Sequence, residues 1–206
     1  LYNQAGCLLK WFRDTFAAAE HRAAQEAGVD VYPQLLAEMP DAPANVTVLP
    51  HFTTTGPPEF VADSSGVMAG LRLETRRGEI LRGILEGSVF YLRECLERAR
   101  TAGIEVTRMC AVGGGSQSDA WLQLTADILK TPLVRPKQTE AGALGAAMLA
   151  AAGTQAFASL EEAVAAMSAP ERDFEPRPAM SSQYESHYQR YRQLWPLMKG
   201  YLRKNP

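Results

Sequence analysis

The chain has 206 residues, 46% of them apolar and 21% charged, with a formal net charge of −2. This composition supports a buried core and argues against disorder, and the scattered basic residues argue against a nucleic-acid or anionic-membrane footprint. Three cysteines far apart (Cys7, Cys95 and Cys110) and no run apolar enough to span a bilayer fit a reducing, cytoplasmic setting.

The chain opens on Leu1, not Met, and enters a helix at once, as a piece of a longer protein would. From Asn3 to Ala27 the spacing of Leu8, Trp11, Phe12, Thr15, Phe16, Ala19 and Ala23 predicts one amphipathic helix, which Gly28 stops. A short helical piece, Tyr32 to Glu38, ends at Pro40. "NVTVLP" (Asn45 to Pro50) reads as a buried strand, "HFTTTGPPEF" (His51 to Phe60) as a loop and "GVMAGLRL" (Gly66 to Leu73) as a second strand. Glu79 to Arg100 forms a long helix in which Gly83 and Gly87 would let another element approach closely.

A strand from Thr107 to Val112 then runs into Gly113, Gly114 and Gly115, followed by a helix reaching about Lys130. "PLVRP" is a short strand. Thr139 to Ala152 is a helix so rich in alanine and glycine that it is expected to pack tightly against something. Glu161 to Met167 is a further short helix, "FEPRP" an extended linker, and residues 181–203 a terminal helix with Tyr184, Tyr188 and Tyr191 as packing residues. Strands alternating with helices argue for an α/β fold.

The glycine triplet carries the chemistry. Glycine removes the Cβ that keeps a ligand from the backbone, and the N-terminus of the next helix has unpaired N–H groups and the positive end of the dipole. Ser116 and Asp119 have the spacing of a capping box, which places the helix start at Ser116. Such a turn suits a nucleotide, although a tight turn without a ligand has the same composition. It is not a P-loop, because Ser116 and Gln117 follow Gly115. As a dinucleotide fingerprint it lacks the third glycine and has Arg135 near where an acidic residue belongs. An NAD(P)-dependent oxidoreductase therefore stays open as an alternative.

The stretch "GGGSQSDAWLQLTADILKTPLVRPKQTEAGALGAAMLAA" (Gly113 to Ala151) resembles the C-terminal half of the FGGY carbohydrate kinases. So do "GVMAGL", seven residues, then "EILRGILEG" (Gly66 to Gly87), with Gly83 where the family pattern prefers Ala or Ser. "WFRD" (Trp11 to Asp14) and "YESHYQRYRQLW" (Tyr184 to Trp195) agree. The resemblance implies a ribonuclease-H-like, actin-like ATPase lobe with a mixed sheet flanked by helices. Residues 1–206 would be the nucleotide-side lobe of a two-lobed enzyme, and the N-terminal, sugar-binding lobe would be its partner.

Implied with it are ATP, Mg²⁺ carried by ATP, and transfer of the γ-phosphate to a sugar hydroxyl. The tail resembles pentulose and deoxysugar members, which favours a pentulose such as xylulose, while "TTTGPPEF" departs from the xylulokinase form "GER-x-P". By the same resemblance Gly114 lies against the nucleotide, with Gly113 and Gly115 shaping the turn. Ser118 holds the position from which a side chain reaches toward adenine, and Gly6 and Lys10 border the adenosine. No catalytic residue is expected in this chain, since the family's catalytic Asp precedes Leu1. No protein metal site is expected either, with His21, His51 and His187 apart from other ligands. A non-catalytic interaction lobe and a homodimer also remain open.

Overall fold

The computed structural model describes residues 4–54, 56, 60 and 64–204; part of the expected loop at 51–60 lies outside them. In chain order the elements are α1 (Gln4–Phe16), α2 (Ala18–Ala27), α3 (Tyr32–Ala37), β1 (Thr47–Leu49), β2 (Val67–Ala69), α4 (Arg77–Thr101), β3 (Met109–Cys110), a 3₁₀ turn (Gly114–Gln117), α5 (Asp119–Leu129), β4 (Leu133–Pro136), α6 (Ala141–Gly153), α7 (Leu160–Met167), β5 (Pro170–Phe174) and α8 (Pro178–Lys204). β1 and β2 form an antiparallel pair, with Thr47 opposite Ala69. A second sheet has the order β3-β4-β5, parallel between β3 and β4 and antiparallel between β4 and β5. The fold is thus α/β with a mixed sheet.

The centre is α4, whose first half is buried almost all round. Its glycines permit this. A Cβ at Gly83 would stand 2.7 Å from the Val46 carbonyl oxygen, and one at Gly87 would stand 2.1 Å from that of Val48. The element admitted by Gly83 and Gly87 is therefore β1 and the residue before it. On this contact Leu8 and Phe12 of α1, Val46, Val48, Leu81 and Ile84 form one core cluster. Phe90, Ile128 and the tyrosines Tyr184, Tyr188 and Tyr191 of α8 form a second. A third, Leu122, Ala126, Leu133 and Phe174, joins α5 to the mixed sheet.

Five expectations are corrected. The single helix over 3–27 breaks at Ala17 (φ −140°, ψ 31°). Arg77 of α4 donates to the freed Phe16 carbonyl oxygen at 3.2 Å, an inserted side chain being a common cause of kinks. The break shifts the helical phase, so Ala17 and Ala24 are buried while Ala19 and Ala23 are exposed; Thr15, at the end of α1, is exposed as well. The strand expected over 66–73 ends at Ala69, because Gly70 adopts φ +89° and Leu71 and Leu73 turn to solvent. The strand over 107–112 keeps two residues.

"FEPRP" is not a plain linker. Phe174 closes the unforeseen strand β5, and Pro178 opens α8. Four of the five β5 residues are exposed, as befits a charged edge strand. Residues 175–177 are tied down by Asp127, which is fully buried. Its carboxylate accepts the Arg177 backbone N–H at 2.7 Å and the guanidinium at 3.0 and 2.6 Å.

Finally, α6 does not pack tightly: Met148 is its one buried residue, and its contacts run to α7. Leu149 and Val164 remain exposed on this two-helix layer.

Candidate functional site

The glycine turn connects β3 to α5 at the carboxyl end of the parallel strand pair, where open α/β sheets bind ligands. Each glycine serves a different purpose. Gly113 sits at φ +82°, ψ −175°, a region essentially restricted to glycine. Its N–H donates to the Thr139 carbonyl oxygen at 2.9 Å. A Cβ at Gly114 would meet no atom within 4 Å, whereas one at Gly115 would press on the Trp121 ring at 3.1 Å.

The helix start differs from the expected capping box. Ser118, not Ser116, caps α5: its Oγ accepts the Trp121 N–H at 3.2 Å. Ser116 instead donates its hydroxyl to the Gly113 carbonyl oxygen at 2.7 Å, closing the turn on itself. Asp119 faces away from any cap and pairs with Arg135 at 2.7 Å and with Arg172.

Beside the turn lies a cavity of about 600 Å³, within the range of small-molecule sites. One wall is the turn and the start of α5: Gly114, Gly115, Gln117, Ser118, Ala120 and Trp121. The opposite wall comes from α1 (Gly6, Leu9) and from the α2–α3 connection and α3 (Asp30, Tyr32, Pro33, Leu36). Of the residues singled out from sequence, Gly6, Gly114, Gly115 and Ser118 thus meet at one cavity. Gly113 shapes the turn without lining it. Lys10 is exposed one turn along α1 from Gly6 and is not part of the lining.

The α3 wall was missed. Tyr32 is fixed from two sides: its N–H donates to Asp30 Oδ1 at 3.0 Å, and its hydroxyl accepts Arg13 Nη1 at 3.1 Å. The sequence offered a signal in "DVYP" (Asp30 to Pro33), an acidic residue positioned to accept the first N–H of a helix with Pro near its start. The lining is mostly apolar, and among the described residues Asp30 is its one charged side chain. A flat, weakly polar ring fits such walls. Anionic groups fit the α5 N-terminus, where helix dipole and N–H groups favour negative charge. Among the described residues no group of three His, Cys, Asp or Glu side chains gathers as a metal site. No helix of the described residues is long and apolar enough to cross a membrane.

This architecture is a helix-flanked α/β lobe with a mixed sheet and a ligand-sized cleft at a glycine turn. The family model for the C-terminal domain of the FGGY family of carbohydrate kinases matches residues 1–154, and the chain belongs to that family. It is 31% identical over 191 residues to a xylulose kinase of Bacillus subtilis (strain 168), covering 93% of this chain and 37% of that protein. It is 35% identical over 174 residues to a glycerol kinase of Stenotrophomonas maltophilia (strain K279a), covering 84% of this chain and 33% of the relative.

The ligand-bound xylulose kinase of Lactobacillus acidophilus superposes with a TM-score of 0.81 at 22% identity, over 99% of this chain and 40% of that one. The chain accordingly shares the α/β fold of that part of the kinase. The chain spans about a third of the length of the curated relatives it matches.

Proposed function

We propose that this chain is the ATP-binding lobe of a carbohydrate kinase that transfers the γ-phosphate of ATP to a sugar hydroxyl. The observation that supports this most is the cavity shared by α1, α3 and the glycine turn, in a chain of the FGGY family. Leu9, Pro33, Leu36 and Trp121 would enclose the base. Gly114, lacking a side chain, would admit the nucleotide against the backbone, and the α5 N-terminus would face its phosphates. Ser118 keeps its hydroxyl proton to donate while its oxygen caps α5. Mg²⁺ would enter on the phosphates and keep several waters. It would neutralise the charge that develops as the phosphoryl group moves.

The base that orients the sugar hydroxyl would come from an N-terminal lobe, the partner that the greater length of the relatives supports. We assign the exposed α6–α7 layer to contact with that lobe. The sugar we favour is a pentulose such as xylulose; relatives named glycerol kinase make glycerol the competing substrate.

The oxidoreductase alternative loses its support. The position where a dinucleotide fold needs an acidic residue is Arg135, engaged with Asp119 and Glu171. A coupled kinase assay of the full-length protein over xylulose, other pentuloses and glycerol, with ATP and NAD titrated separately, tests the reading. ATP-dependent turnover of a pentulose supports it, while NAD binding without ATP binding would refute it.

A further inference from the structure

Arg135 lies on β4, outside the cavity, yet it is the residue that fastens the glycine turn to the sheet. Its guanidinium spends both branches on this. Nη1 donates to the Ser116 carbonyl oxygen at 3.1 Å and to Asp119 Oδ1 at 2.7 Å, while Nη2 reaches Glu171 Oε1 on β5 at 3.2 Å. The side chain is only 12% exposed, whereas Asp119 is 49% exposed. Arg172, also on β5, takes the other Asp119 oxygen, and both arginines lie over the Phe174 ring at 5.6 and 5.2 Å. The network therefore joins the 3₁₀ turn, the first turn of α5, β4 and β5.

Two consequences follow for the neighbouring cavity. First, Ser116 sits between Gly115 and Gln117, which both line it, so holding the Ser116 carbonyl fixes the backbone on both sides. Second, Asp119 sits between Ser118 and Ala120, also lining residues. A bare carboxylate in the first turn of α5 would repel an incoming polyphosphate; two guanidiniums cancel that charge. A planar guanidinium presents its donors in a fixed fork, which suits it to hold this carbonyl and the two carboxylates in one geometry.

We propose that Arg135 is a positioning residue for nucleotide binding, holding the glycine turn in shape and neutralising Asp119 beside the cavity. The inference rests on the nucleotide reading above but makes a separate statement about the turn. It is tested in the full-length protein with Arg135→Gln, Arg135→Lys, and Arg135→Gln combined with Asp119→Asn, using ATP as the titrant.

Arg135→Gln should weaken ATP binding at least tenfold and raise KM for ATP while leaving kcat and KM for the sugar within about twofold. Adding Asp119→Asn should recover the part of that loss that comes from the charge Arg135 neutralised, while the part that comes from the lost bond to Ser116 remains. A purely structural role would instead give a double variant as weak as the single one. Arg135→Lys, which keeps a cation but loses the fork, should fall between Arg135→Gln and wild type, and it carries the comparison should Arg135→Gln fail to fold.

Amide hydrogen exchange without ligand reads the clamp independently of any activity: residues 113–118 should exchange faster in the variants. Wild-type failure to bind ATP would sink the nucleotide reading, and the neutralising role with it. Wild-type binding with unchanged affinity in the variants would overturn both roles of Arg135 and leave the nucleotide reading standing, and unchanged exchange at 113–118 would overturn the turn-holding role.

Discussion

Replacing Gly114 by valine separates ligand space from backbone geometry. Gly114 is not at positive φ, and a Cβ there meets nothing within 4 Å. The fold therefore has no steric reason to reject Gly114→Val, and helix propensities differ by less than about 1 kcal/mol between the two residues. For a domain of this size 1 kcal/mol corresponds to about 2–4 °C in Tm, so the melt should move by no more than that. Gly114 lines the cavity, and valine would place three carbon atoms where, on the proposed reading, the nucleotide would lie against the backbone.

We expect ATP affinity to fall more than tenfold, equivalent to about 1.4 kcal/mol. Gly113→Ala should behave in the opposite sense. Its backbone conformation is essentially restricted to glycine, which puts the strain at about 1–3 kcal/mol, so it should lower Tm by several degrees. Calorimetric titration with ATP and thermal melts of both variants in the full-length protein give the comparison. A folded Gly114→Val that binds ATP as tightly as wild type would refute the reasoning and move the nucleotide elsewhere.

Gly87→Ala should destabilise by about 1–3 kcal/mol or more through overpacking, because its Cβ would collide with the Val48 carbonyl oxygen; chemical denaturation measures the loss. Glu185 of α8 bonds Lys130 and Arg93, each at 2.8 Å, and these hold its carboxyl down to about 2. Its contribution is therefore full above the ordinary carboxylate value of 4.5 and is lost as pH falls toward 2. Glu185 is 40% exposed, so screening limits the effect to about 1 kcal/mol or less. Glu185→Gln should melt up to about 2–4 °C lower at pH 7, and the gap from wild type should narrow in melts recorded at successively lower pH. This chain alone should phosphorylate no sugar, and turnover in a coupled assay by a preparation verified to hold only these residues would contradict the two-lobe reading.

Helices were legible in the sequence where apolar periodicity was long and its partner lay within the chain. α4 and α8 follow their patterns because β1 and the Phe90–Tyr188 cluster receive them. β5 was not legible. "PERDF" has neither alternation nor β-branched residues, since an edge strand held by β4 needs only Phe174 turned inward. The Ala17 break was hidden because the residue that stabilises it, Arg77, lies 60 positions along the chain. Arg82 and Glu86 were likewise unreadable as core residues. They are buried as an ion pair at 2.7 Å, with Tyr184 bonded to both, and burial pushes the Glu86 carboxyl up to about 7 despite that company. α6 shows the opposite failure: its composition demands close packing, but among the described residues its main neighbour is α7.

The site was legible in part, and the glycines explain why only in part. Glycine's single chemical attribute, a missing Cβ, serves three distinct physical ends here. Gly113 uses it for a backbone conformation, Gly114 to leave space open at the cavity wall, and Gly83, Gly87 and Gly115 to let neighbouring atoms approach. A sequence records the attribute without the end it serves, so "GGG" alone cannot say which glycine faces a ligand. The family pattern pointed to Gly114 through order and spacing; the open space around it is the reason a side chain there would act on the cavity and not on the fold. Only the helix-start signal in "DVYP" pointed toward Tyr32, and nothing comparable marked Arg135. The first faces the cavity from another helix, and the second acts on the turn from the far side through Ser116 and Asp119. Both depend on contacts between residues 16 or more positions apart, which local spacing does not encode.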